Sequence, residues 1–152
     1  MQGARIWSGL TRRVAGYGYA PQRALYWSLG FILVSTIVYF IAMRQGWMVP
    51  SSAIILTSPE WATAYQTDPV APALYWSGKA ATHYETFYAL PYALDVYLPI
   101  VDLGQASAWG QTTTTIGGIF VRCWTWVMQA TGYVVTGLGL AAITGIIQRD
   151  RG

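Results

Sequence analysis

Charge is what this sequence has least of. Of its 152 residues only 10% are Asp, Glu, Lys or Arg, against about a quarter in an ordinary soluble domain. So few charges do not cover a water-facing globule of this size, and they point to a chain that meets lipid over much of its surface. Cysteine and histidine are almost absent, with one of each, Cys123 and His83. A single cysteine excludes an intrachain disulfide, and two lone residues so far apart make no ligand cluster for zinc, haem or an iron–sulfur centre. No basic run accompanies the modest net charge of +3, which speaks against nucleic acid as a partner. The G-x-S-x-G turn and the phosphate loop are missing as well. No catalytic residue, metal or cofactor is therefore assigned, and the chain is expected not to be an enzyme.

What is abundant is apolar and aromatic, 54% and 15% of the residues. The length allows one domain. Ala24 to Met43 carries no charge and is about 30 Å long as a helix, the thickness of a hydrocarbon core. Arg23 and Arg44 close its ends, and Pro21 stands just before it, where a missing N–H does no harm. This run is too long, and too poor in a small-x-small site after it, to be a cleaved signal peptide. A second apolar run, Trp124 to Ile147, ends in Gln148-Arg149-Asp150-Arg151.

A third stretch, FYALPYALDVYLPIVDLG at 87–104, is equally apolar but is interrupted by Pro91 and Pro99 and carries Asp95 and Asp102. Crossing lipid would strand broken backbone hydrogen bonds and a carboxylate in hydrocarbon, at several kcal/mol. A short helix is cheaper. Thr82-His83-Tyr84-Glu85 fits a capping box, Phe87, Leu90, Leu94 and Leu98 share one helical face, and Pro99 favours a stop. The pattern predicts an amphipathic or re-entrant helix over 83–98, kinked at Pro91.

Arginines orient the chain. Arg5, Arg12, Arg13 and Arg23 precede the first span, and Arg149 and Arg151 follow the second. The positive-inside rule places both termini in the cytoplasm. The expected fold is thus an all-α integral membrane protein: a cytoplasmic segment 1–23, transmembrane helices at 24–43 and 124–147, an outer loop 44–123 that carries the helix 83–98, and a tail 148–152. The loop holds every proline but Pro21, and Ser58-Pro59-Glu60 within it reads as a helix start. Tyr26 and Trp27 on one side, with Trp47, Trp124 and Trp126 on the other, are expected as interfacial anchors. Gly137, Ala141 and Gly145 recur at four-residue spacing, a ridge that allows close packing against the first span or another subunit.

Four segments, GYGYAPQRALYWSLG, MVPSSAIILTSPEW, FYALPYALDVYLPIVDLGQASAW and TGYVVTGLGLAAITGIIQRD, carry a resemblance. Over 16–151 the chain resembles the carboxy-terminal membrane region of bacterial pentapeptide-repeat and so-called membrane-associated oxidoreductase proteins. That likeness implies a bacterial inner membrane and brings no cofactor motif. In that family a repeat domain usually precedes the membrane part, whereas residues 1–23 alone stand before the first span here. The order of span, outer loop, half-buried helix, acidic turn and span is also similar to two-span pore-loop cation channels. It departs from the potassium filter, because no T-V-G-Y-G follows the helix, and Gly16-Tyr17-Gly18 lies on the wrong side of the first span. On that likeness Asp95 or Asp102 would be the selecting carboxylate. The alternatives are that these aspartates face outer water, pair with Arg122 at the interface, or contact a partner protein; Arg122 itself is expected to meet a lipid headgroup or an aspartate, not to act in catalysis. Two functions stand: an oligomeric pore-loop-like protein that conducts or binds cations, and a non-catalytic accessory subunit of a larger membrane complex. In both the partners are the lipid bilayer and further membrane chains, identical copies or other subunits.

Overall fold

The computed structural model describes residues 21–79 and 83–149. The expected segment 1–20, the Thr82 cap and the tail from 150 lie outside them. Two long helices frame the chain, α1 (Pro21–Arg44) with 24 residues and α7 (Ile116–Arg149) with 34. Between them come β1 (Met48–Pro50), α2 (Ala53–Leu56), α3 (Pro59–Thr67), α4 (Pro72–Lys79), α5 (Ala89–Tyr97), α6 (Gln105–Ala108) and β2 (Trp109–Gln111). The chain is mostly helical, but the all-α expectation needs one correction. β1 and β2 pair antiparallel, Met48 opposite Gln111 and Pro50 opposite Trp109. Runs of three residues are too short to show an alternating pattern in sequence. The ribbon ties the end of α1 to the start of α7, and the Thr112 N–H donates to the Trp47 carbonyl at 2.9 Å beside it.

α1 matches its expected bounds closely. It is the one described helix long and apolar enough to cross a membrane, and only 17% of that stretch is buried within the chain. Its inward stripe is Ile32, Ser35, Tyr39, Ala42 and Met43, while Leu25, Leu29, Leu33, Ile37 and Phe40 point outward. A helix apolar on every side needs a low-dielectric neighbour on every side, and here its own chain supplies only one.

α7 begins eight residues earlier than the expected 124. The Thr115 hydroxyl accepts from the Gly118 N–H at 3.1 Å and caps the first turn. Gly117 and Gly118 look like loop in sequence, yet the Trp47 ring and Thr112 occupy the space that side chains there would need. α3 starts as expected, with Ser58 accepting from the Trp61 N–H and Pro59 at its first position.

The helix expected over 83–98 is shorter. α5 spans Ala89–Tyr97, with Tyr88 as an N-cap that makes no side-chain cap bond. Glu85 serves elsewhere: its carboxylate accepts from Gln105 Nε2, and its carbonyl from Trp109 Nε1, each at 2.9 Å. Residues 85–88 stay outside the helix, and Tyr88 has extended backbone. Pro91 is the third residue of the helix, where no intrahelical N–H bond is lost, so the kink expected there has no cause. The helix does stop before Pro99.

α5 runs antiparallel to α1 and is wedged between it and α7. The Tyr92 ring lies edge-on to Tyr39, with centroids 4.7 Å apart. One and a half turns on, Tyr97 meets Phe31 at 6.1 Å and donates to the Ser28 hydroxyl at 2.8 Å. On its other side the Tyr97 carbonyl rests against Gly132 of α7. From Tyr92 a chain of tilted and edge-to-face rings continues through Phe87, Trp109 and Trp76 to Trp61, seating α3 and α4 on the ribbon end. Each such pair adds about 0.5–1.5 kcal/mol beyond its buried area.

Candidate functional site

The two aspartates occupy different environments. Asp95 is half-buried on α5, and its carboxylate receives two main-chain N–H groups from the returning limb of the hairpin: Leu103 to Oδ1 at 2.8 Å and Ala106 to Oδ2 at 2.7 Å. It caps the first turn of α6 from a neighbouring helix. Asp102 is exposed and, among the described residues, accepts only from its own turn, from the Gly104 N–H at 2.9 Å. Gly104 takes a positive φ of 76° there. α5, the turn 98–104 and α6 thus form a closed hairpin with an acidic, bare tip. Ile100 is 73% exposed beside Asp102, and Val101 and Leu103 are exposed as well.

Of the two partners expected for Arg122, a headgroup or an aspartate, the described residues do not supply the aspartate. Its Nη2 donates to the Gln111 carbonyl at 2.8 Å, and Asp95 is engaged by backbone. Arg122 sits in the second turn of α7 at the edge of a buried polar cluster. There Gln111 Nε2 donates to the Tyr92 hydroxyl at 2.6 Å and to Thr125 Oγ1 at 3.1 Å. The Tyr39 hydroxyl lies 3.0 Å from the same Thr125 oxygen, which itself donates to the Val121 carbonyl at 2.9 Å. Among the described residues no buried side-chain polar atom lacks a partner. These uncharged hydroxyl and amide groups pin α1, α5, the ribbon and α7 at one point. Beside it opens a cleft of about 280 Å³, with Arg122, Trp126 and Gln129 on its α7 wall.

The packing residues also divide. Gly137 is exposed, with open space where a side chain would stand, so it does not pack on α1. Ala141 is exposed on the same helix, and the surroundings of Gly145 lie outside the described residues. The close approach falls at Gly132 instead. Tyr26, Trp27 and Trp126 point outward. Trp47 and Trp124 turn inward: Trp47 covers Gly117, and Trp124 donates from Nε1 to Ser35 Oγ at 3.0 Å. Both flank the inward stripe Val121, Thr125, Met128 and Gly132 of α7.

Tyr39, Tyr92, Gln111 and Thr125 escaped the sequence reading, as did Gln105, whose side-chain oxygen accepts from the Tyr88 N–H and whose amide donates to Glu85 and Thr86. A usable signal existed, namely isolated Ser, Thr and Gln residues inside or beside apolar helices, which need partners once buried. Among the described residues no group of three or more His, Cys, Asp or Glu side chains is placed to hold a metal ion. Comparison with protein-family models, with curated proteins and with solved structures finds no match.

Proposed function

We propose that the chain is a non-catalytic membrane subunit in which α1 and α7 cross the bilayer and the α5–α6 hairpin enters it from the outer side and returns. Copies assemble around the hairpin tips, and Asp102 lines the water-filled path between them through which cations pass. One observation carries this reading, the depth and exposure of the tip. Tyr97 packs on Phe31, thirteen residues and so about 20 Å along α1 from Arg44, beyond the middle of a core about 30 Å thick. The turn that follows leaves Ile100, Val101 and Asp102 bare. Irregular backbone and a carboxylate persist at such depth only against protein or water. A single copy offers neither, and neighbouring copies offer both.

A second reading is favoured by Asp95 and Arg122, both of which are engaged by main chain. In it the hairpin is a docking element of a larger complex and carries no ions. Single-channel recording in planar bilayers, with mass measurement in nanodiscs, separates the two. Cation current from a ring of copies that weakens in Asp102→Asn supports the path. A silent bilayer, or a single copy per nanodisc that remains monomeric at high loading, overturns it.

A further inference from the structure

The cleft beside the polar cluster has a chemistry that the hairpin reading does not use. Its lining includes Ser51 and Gly110 of the ribbon region, Tyr92 and Val96 of α5, and Arg122, Trp126 and Gln129 of α7. Arg122 is half-buried and is the one cation that lines it. A guanidinium has five N–H donors, and the bond to the Gln111 carbonyl occupies one nitrogen. Asp95 of α5, on a packed element, spends both oxygens on the Leu103 and Ala106 amides. Among the described residues the cleft thus presents a charged planar fork with no acidic partner, the geometry that suits a phosphate.

The rest of the wall selects among phosphates. Trp126, which lines the cleft, is 60% exposed, and the next residue of α7, Val127, is 54% exposed. Beyond the guanidinium the lining is mixed: Val96, Ala106 and the Trp109 and Trp126 rings stand beside Thr125 and Gln129. A volume of about 280 Å³ takes a headgroup and the beginning of an acyl chain, not a whole lipid. Arg122 also stands beside the ribbon, at the level where headgroups meet hydrocarbon if α1 spans the bilayer. We infer that this cleft binds the phosphate headgroup of an anionic phospholipid, with Arg122 on the phosphate and the acyl chain lying over Trp126. The inference rests on the membrane placement proposed above, but not on ion conduction.

Native mass spectrometry of the full chain released from nanodiscs of equal phosphatidylglycerol and phosphatidylcholine tests it. The expected result is preferential retention of phosphatidylglycerol, reduced about fivefold in Arg122→Gln and partly kept in Arg122→Lys. Because Arg122→Gln also removes a bond to the ribbon, Gln129→Glu serves as a second variant. It is exposed, keeps every internal contact described, and places a negative charge in the cleft, so it should also lose phosphatidylglycerol. Equal retention of the two lipids by the parent, or undiminished phosphatidylglycerol on Gln129→Glu, overturns the site. Displacement of the lipid by millimolar inorganic phosphate would show a general anion site and overturn the lipid assignment. Vesicle flotation in parallel tells the two failures apart: a chain that does not float with vesicles refutes the membrane placement itself, and one that floats without lipid preference refutes only this site.

Discussion

The main-chain carbonyl of Tyr97 lies in the space that a Cβ on residue 132 would fill. α5 can lean on α7 at this point because residue 132 has no side chain, and the same contact sets how deep the hairpin sits. Four predictions follow from this and from the neighbouring contacts.

Gly132→Ala should destabilise the fold by about 1–3 kcal/mol, because the clash is with backbone that cannot rotate away. Gly137→Leu should leave the stability of a single chain unchanged, since its side chain enters open space. If the Gly137 face meets another copy, Gly137→Leu weakens assembly while Gly132→Ala weakens folding. Denaturation in detergent, read beside oligomer mass, separates the two. Equal stability of both variants would refute the wedge.

Asp95→Asn should cost about 1.5–3 kcal/mol, because one of two charge-assisted bonds to Leu103 and Ala106 is lost. Asp102→Asn should change stability by less than about 0.5 kcal/mol, as expected for an exposed surface position. Hydrogen exchange at the Leu103 and Ala106 amides is the sharper measurement. Both should exchange faster in Asp95→Asn and at the parent rate in Asp102→Asn.

Gln111→Leu should destabilise by about 2–3 kcal/mol, because it leaves the buried Tyr92 and Thr125 hydroxyls short of a partner. A double-mutant cycle with Tyr92→Phe should recover part of that loss. An additive cycle would mean that the amide does not bridge the two hydroxyls.

Topology has a direct test. In a Cys123→Ser background, a cysteine at Gln66 should react with an impermeant thiol reagent from outside, and cysteines at Ser8 and Gly152 should not. A cysteine at Ile100 should react only with small water-borne reagents if the hairpin tip meets an aqueous cavity. No reaction at Ile100 in the assembled protein would place the tip against protein instead.

The long-range order of the chain was readable where one local rule acted without competition. An uncharged run between Arg23 and Arg44 gave α1 almost to the residue, and Pro99 gave the end of α5. Where tertiary contacts compete with local pattern the reading failed. Thr82 to Glu85 has the spelling of a helix start, but Glu85 is drawn to Gln105 and Trp109, both about twenty residues on. Gly117 and Gly118 have the spelling of a loop, but they sit in a helix because Trp47 and Thr112 need their space. The site was half legible for the same reason. The acidic stretch stands out by composition. That Asp95 would be consumed by backbone while Asp102 stays at the surface depends on how the hairpin closes, and no spacing rule encodes that.

The wedge also bears on how the protein is made. The seat of α5 is built from Ser28 and Phe31 on one side and Gly132 on the other, so its two halves are synthesised about a hundred residues apart. A ribosome that has delivered α1 and the hairpin has delivered only one wall of the seat. Until α7 follows, α5 has the α1 wall alone to lean on. The seat is completed only when residue 132 arrives, so under the proposed membrane placement the final setting of the hairpin would be a late step.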